Sequence, residues 1–362
     1  MSRLFALILL CTFIGHFSNG QALITSGDAK FFSKGEVAVS LNDMDLVNNG
    51  NFDMEEGQLS MNNSYYLAKI EGQNIPTFNN FTLNVSGFLE TSVDFKVLTD
   101  LNLKKGEIDL QNNDLILPLN KSKIVGETSD NRILSSGDGE IIKYSFNEQL
   151  KETSVGNLGI VFADFNNEDS LVIRRGHRTL PIPFGESITR YYKISTFKKP
   201  TDKLEIGLEY FDDEVVAVDP ELEEQIWVMN DGEWNRAQAN IKRKPNGSGN
   251  YIKGELEIFE TIVTVGLYRR LISKSEIPNV FTPNSDGIND TFMIPGIEKL
   301  PNAEVKVYNI YGQLLYASSQ YLRNPWDGTY KGQTQPMGTY YYQISDAKNP
   351  LEFIEGELSI IK

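Results

Sequence analysis

From Ala22 to about Tyr144 the chain repeats one short unit. Two or three apolar residues alternate with polar ones, a turn of Asn, Gly or Asp follows, and strand centres recur every seven or eight residues. Val37/Val39/Leu41, Leu59/Met61, Phe81/Leu83/Val85, Val93/Phe95/Val97, Leu101/Leu103 and Leu115/Leu117 show the pattern. Period-two alternation gives each strand one apolar face. The pitch is tighter than the spacing of sandwich hairpins. Strands this short bury that face only when one coil stacks on the next. The pattern therefore predicts a β-solenoid, a small right-handed parallel β-helix, over residues 21–146 in preference to an irregular antiparallel sandwich. Asn48, Asn49, Asn79 and Asn80 read as turn residues that satisfy local backbone groups.

Beyond Asn147 the strands lengthen. Leu204/Ile206/Leu208/Tyr210 is a clear apolar face, with Glu205 and Glu209 opposite it, and Asn230-Asp231-Gly232 is a hairpin signal. Seven such strands predict a central antiparallel β-sandwich over 147–271. After a short charged linker, Ile272 to Ser275, residues 272–362 form a third all-β segment rich in Gly, Asn, Asp and Pro turns.

The first twenty residues read as a secretory signal peptide: basic Ser2-Arg3, an apolar run from Leu4 to Ile14, and small Ser18 and Gly20 before Gln21. The run is too short for a membrane anchor, and Leu10 before Cys11 argues against a lipoprotein anchor. Cleavage removes the one cysteine, Cys11, and one of the two histidines, His16. A mature chain so cut has no disulfide, thiolate metal site or cysteine nucleophile, and any His-based site rests on His177 alone. The net charge of −15 becomes −16 once Arg3 is lost, which disfavours nucleic-acid binding.

Four clusters carry possible chemistry. Arg174-Arg175-Gly176-His177-Arg178 reads as a basic, hairpin-like turn that either recognises an anion or pairs with nearby acids. Asp212-Asp213-Glu214, with Asp219, Glu221, Glu223 and Glu224, supplies carboxylates of the kind a glycosidase or hard-cation site uses, though such clusters also arise by chance in an acidic chain. Trp227 and Trp234 nearby are expected to be packing residues. Asn284, Asp286, Asn289 and Asp290 surround Gly287 and present oxygens as a Ca²⁺ loop does; the same residues equally describe a self-capping Asx turn. Trp326-Asp327-Gly328 with Tyr340, Tyr341 and Tyr342 reads as a hairpin, or as an aromatic docking surface. The C-terminal stretch lacks any nucleophile-plus-base arrangement, and no catalytic residue is assigned.

The C-terminal stretch, read whole, is the most specific part of the chain. Phe281-Thr282-Pro283-Asn284, Asp286-Gly287-Ile288-Asn289-Asp290, Val307-Tyr308-Asn309, Tyr311-Gly312, Trp326-Asp327-Gly328, Gly338-Thr339-Tyr340-Tyr341 and the terminal Ile-Ile-Lys resemble, in order, the type B C-terminal sorting domain of the type IX secretion system, the gliding motility-associated domain of Bacteroidetes. Ser285 departs from the family's usual Gly, and Ile310-Tyr311 from its usual Arg-Trp. Residues 78–144 resemble the Asn-rich repeats of Bacteroidetes surface proteins. The segments around Leu158–His177, Ile188–Ser195 and Trp227–Ala237 resemble a domain that commonly follows such repeats.

The resemblance implies an immunoglobulin-like C-terminal sandwich. It also implies export to the cell surface or beyond, in association with the outer membrane. The implied partners are the translocon with its outer-membrane shuttle proteins and a β-barrel of the PorP/SprF family. A non-enzymatic surface protein is therefore expected, either an accessory subunit of the secretion and gliding apparatus or an adhesin. The modest chain length favours the former. A secreted carbohydrate-active enzyme or carbohydrate-binding protein is the competing reading.

Overall fold

The computed structural model describes residues 21–361 apart from the short stretches 65–66, 183–184, 217–221, 238, 244–248, 270–271, 273, 301–302 and 347–348. The expected signal peptide, residues 1–20, lies outside the described residues, as do Asp219 and Glu221. The described chain is all-β, and it divides into two compact units that meet in sequence at Tyr268/Arg269.

The first unit begins as the expected solenoid. Strands Gln21–Phe32, Ala38–Asn42, Met44–Asn63, Leu67–Gly72, Thr77–Thr91 and Asp100–Asp109 pair in parallel, each with strands roughly one coil away. Val39, Leu59, Phe81, Leu101 and Ile124 stand one above another, 20 to 23 residues apart. Three strands at the pitch read from the sequence make one such coil. Inside, Phe52, Phe78, Phe81 and Phe95 form an aromatic column with centroid spacings of 5.1–6.2 Å.

Stacking coils so closely constrains the turns. At Gly57 (φ 83°) a Cβ would lie 2.2 Å from the Val37 carbonyl oxygen, so the corner admits only glycine. The asparagines bind neighbouring coils. Buried Asn48 accepts from the Thr25 hydroxyl (2.6 Å) and donates to the Asn74 carbonyl (2.9 Å), while Asn42, Asn62 and Asn84 form a side-chain ladder. Asn79 and Asn80 both donate to the Gly57 carbonyl at 3.3 Å.

The expected boundary at 146/147 falls inside one strand and within one core. Strand Ile141–Ser154 pairs in parallel with Leu115–Leu117 of the solenoid and antiparallel with Ile160–His177. Ile160–His177 then pairs with Gly185–Thr196 along its C-terminal half and with Leu204–Tyr210 at its start. Through these it leads into the sandwich strands Thr261–Arg269 and Asn250–Leu256. A single apolar cluster runs from Leu41 to Val265. The solenoid is therefore capped at this end by the sandwich that comes after it in the chain.

The second unit is a five-stranded sheet in the order Val280–Phe281, Asn349–Ile360, Gly338–Asp346, Ala303–Tyr308, Leu314–Ser318; only the first pair is parallel. Val305, Val307, Tyr340, Tyr342, Ile344, Leu358 and Ile360 line its buried face. The layer over that face consists of a two-stranded hairpin, Thr329–Tyr330 with Gln333–Thr334, and irregular segments carrying Phe281, Phe292, Tyr321 and Trp326. Bulky aromatic rings do here what a second extended sheet does in an immunoglobulin-like sandwich.

Candidate functional site

The sequence motifs of the second unit converge on its interior. Trp326 is buried, its ring centroid 5.5 Å from Phe281 and 5.4 Å from Tyr340. Its Nε1 donates to the Thr329 carbonyl at 2.9 Å, and its own carbonyl accepts from the Phe292 amide at 2.8 Å. Gly328 (φ 77°) is pressed against Pro283 and Phe281, where a Cβ would approach Pro283 Cγ to 3.0 Å. Tyr340 donates its hydroxyl to the Pro336 carbonyl at 2.6 Å. Tyr321, beneath Phe292, has its pKa raised by burial.

The structure divides the six residues proposed as a docking surface. Trp326, Gly328, Tyr340 and Tyr342 are interior, because the alternation of Gly338–Asp346 turns Tyr340 and Tyr342 toward the core. Asp327 and Tyr341 remain at the surface. Asp327 is engaged locally, its Oδ1 accepting from the Thr329 amide (3.0 Å) and hydroxyl (2.7 Å).

Tyr341 belongs to an open groove of about 1000 Å³ on the outer sheet face, together with Tyr308, Gln343, Glu355 and Glu357, and bounded by the segment 274–279. Tyr308 and Tyr341 are cross-strand neighbours, as are Tyr341 and Glu357. Sequence reading missed the two glutamates. Their only signal was the alternation of Glu355 and Glu357 with Ile354 and Leu358 on a strand whose other face is apolar.

The Asx loop closes on itself. Asp290 accepts backbone N–H bonds from Asn284 (3.1 Å), Ser285 and Gly287 (2.7 Å). Asp286 accepts from the Ile288 amide (2.8 Å) and the Asn284 side chain (2.9 Å), contacts that hold its pKa below the usual carboxylate range. Asn289 (φ 54°) contributes its carbonyl to the Thr282 amide at 2.9 Å. The carboxylates of Asp286 and Asp290 thus both accept N–H groups of their own loop. Asn284, Asp286, Asn289 and Asp290 have the local geometry of an Asx turn, with the carboxylate oxygens on the loop surface.

In the first unit the expected basic turn is the end of strand Ile160–His177, and it is a buried charge network. Leu171, Ile173, Arg175 and His177 share the strand's inner face. Fully buried Arg175 forks onto both carboxylate oxygens of Glu127, at 2.7 Å for Nη1, and reaches the Leu158 carbonyl at 3.2 Å. Arg190, on the inner face of the neighbouring strand, donates through Nε to Glu214 at 2.9 Å. Burial alone would raise the pKa of Glu127 and Glu214, and the arginine charges outweigh it, leaving both below the ordinary value.

His177 Nε2 stands 3.6 Å from Glu214, too far for a hydrogen bond. Burial, then the charges of Arg175 and Arg190, push its pKa down to about 4 against the pull of Glu214. It is neutral at physiological pH. The other arginines also pair, Arg174 with Glu140 and Arg178 with Asp138.

The acidic run is likewise dispersed among partners. Asp212 accepts from Asn250 (2.7 Å), Asp213 pairs with Arg132, and Glu224 accepts from the Tyr210 hydroxyl (2.6 Å). Trp227 is buried in the sandwich. Asp212, Asp213, Glu214 and Glu224 thus face separate partners, whereas the pair expected of a glycosidase shares one cleft.

Comparison with known proteins bears on the second unit alone. Residues 275–357 match the family model of the CHU_C type IX secretion signal domain, in agreement with the resemblance read from the motifs. No curated protein and no solved structure matches the chain. The chain thus carries a type IX secretion signal domain. That signal directs export to the cell surface or extracellular space and implies interaction with the type IX machinery.

Proposed function

We propose that this is a non-enzymatic type IX cargo retained at the outer membrane, where the solenoid–sandwich unit serves as a structural or binding module. The observation that carries the reading is the secretion signal domain at residues 275–357. Its export step predicts that deleting residues 275–362 leaves the remainder inside the cell envelope, whereas the intact chain reaches the surface. Equal surface exposure of both forms refutes it.

Within this reading an accessory subunit of the secretion and gliding apparatus is favoured over a long adhesin. Support comes from the first unit, where the coils end by merging into the sandwich, so that one compact body stands where an adhesin would extend its repeats. Affinity purification of the native protein distinguishes the two: stoichiometric recovery of translocon components or a PorP/SprF-like barrel supports the subunit, and dispersed surface copies support the adhesin. For the carbohydrate-active alternative, the decisive assay is polysaccharide turnover or binding by the purified chain, lost on Glu223→Gln/Glu224→Gln.

A further inference from the structure

The two ends of the solenoid differ. Toward the sandwich, Ile141–Ser154 continues the ladder and covers the last coil. At the first coil, among the described residues, strands Gln21–Phe32 and Ala38–Asn42 each pair only with Met44–Asn63, so each presents one row of backbone donors and acceptors with no strand beyond it. The apolar columns stop there half-covered. Leu46, Phe52 and Leu59 of the second coil are wholly buried, whereas their first-coil partners Leu23, Phe31 and Val39 are only partly so. Phe31 stacks flat on Phe52 at 4.5 Å, and adjacent Ile24 and Phe32 are 61% and 76% exposed. A solenoid end of this kind requires a cap.

The charges of this coil indicate what the cap is. The whole chain carries −15, which opposes self-association over most of its surface. Between residues 22 and 42 the charged residues are Asp28, Lys30, Lys34 and Glu36, all exposed, two of each sign. A neutral, mixed-sign rim around an apolar, ladder-edged end is self-complementary under two-fold symmetry, because each acid can face a lysine of the other copy.

We propose that two copies of this chain join head to head through their first coils, the edge strand Gln21–Phe32 of one running antiparallel to its counterpart in the other. The dimer presents two secretion signal domains from a single body and leaves no apolar coil end in water.

Sedimentation velocity of the purified exported chain, from about 1 to about 100 μM, tests this. A dimer is expected. Lys30→Glu/Lys34→Glu makes every rim charge negative, and Asp28→Lys/Glu36→Lys makes every one positive. All four side chains are exposed, so both variants should keep the parent melting temperature. Each alone should dimerise at least about tenfold more weakly, and an equimolar mixture should recover the dimer as a heterodimer. A wild-type monomer throughout the range overturns the proposal. So does a dimer indifferent to both charge variants, which would place the contact elsewhere.

Discussion

Acidification between pH 7.5 and 5.5 should weaken the first unit through one residue. His177 is buried and neutral, with its pKa pushed down to about 4, while an exposed histidine titrates near 6.5. A depressed folded-state pKa means that the unfolded chain binds more protons between these values. The stability is fully present above about pH 6.5 and is lost as pH falls toward 4. Integrating the proton difference gives a loss of about 1.3 kcal/mol from pH 7.5 to 5.5, rising to about 2.5 kcal/mol by pH 4.5. Glu127 and Glu214, both depressed, reinforce the loss only below about pH 4.5, so the upper window isolates the imidazole. Urea unfolding of the first unit, followed by fluorescence of Trp227 and Trp234, measures the effect at each pH. His177→Gln should flatten the dependence between pH 7.5 and 5.5 whatever it does to stability at pH 7.5. A variant that keeps the parent slope, or an NMR imidazole pKa near 6.5 in the native protein, would refute the assignment of this loss to His177.

Removing Arg175 by Arg175→Met strands the Glu127 carboxylate and should cost about 3–5 kcal/mol in urea unfolding, with Arg175→Met/Glu127→Gln recovering much of it. In the second unit, Trp326→Ala should cost about 3–5 kcal/mol by calorimetry, since the ring fills the space between Phe281 and Tyr340. Asp290→Ala leaves three turn amides without their acceptor and should destabilise the second unit by about 1–3 kcal/mol. EDTA should leave that unit's melting temperature unchanged; a drop on chelation restored by added Ca²⁺ would establish the calcium loop instead.

The solenoid was legible because its pitch is a physical necessity: three short strands of seven or eight residues each make a coil of the observed 20 to 23. Its junction with the sandwich was not. Ile141–Ser154 looks like any longer strand, and nothing in its own residues says that one stretch pairs in parallel with Leu115–Leu117 while the whole length pairs antiparallel with the next strand. The buried charges were half-legible. Leu171, Ile173, Arg175 and His177 alternate on one face, as do Ile188, Arg190, Tyr192 and Ile194, so each arginine occupies a core position by period alone. What sequence spacing hides is the compensating partner. Glu127 lies 48 residues from Arg175, and Glu214 lies 24 from Arg190.

The residues that identify the second unit are not those a partner can touch. Phe281, Trp326, Gly328 and Tyr340 are the residues by which the segment is recognisable, and they are in contact with one another inside it. They specify the fold, because an aromatic layer over a five-stranded sheet tolerates few other shapes at those positions. A partner touching the folded domain meets other groups, such as Tyr341 beside Tyr308 and Glu357 on the outer sheet face, and Tyr311, which is 86% exposed at the hairpin tip. Trp326→Ala should therefore reduce export in proportion to lost stability and recover when the domain is stabilised by other means. Tyr341→Ser and Tyr311→Ser should leave the domain's stability within about 0.5 kcal/mol of the parent. If the outer face is the surface read by the secretion machinery, these two exposed substitutions lower export without unfolding the domain. Normal export of the double variant would show that this face is not the one read, leaving the exposed turns around Asp327 and the Asx loop.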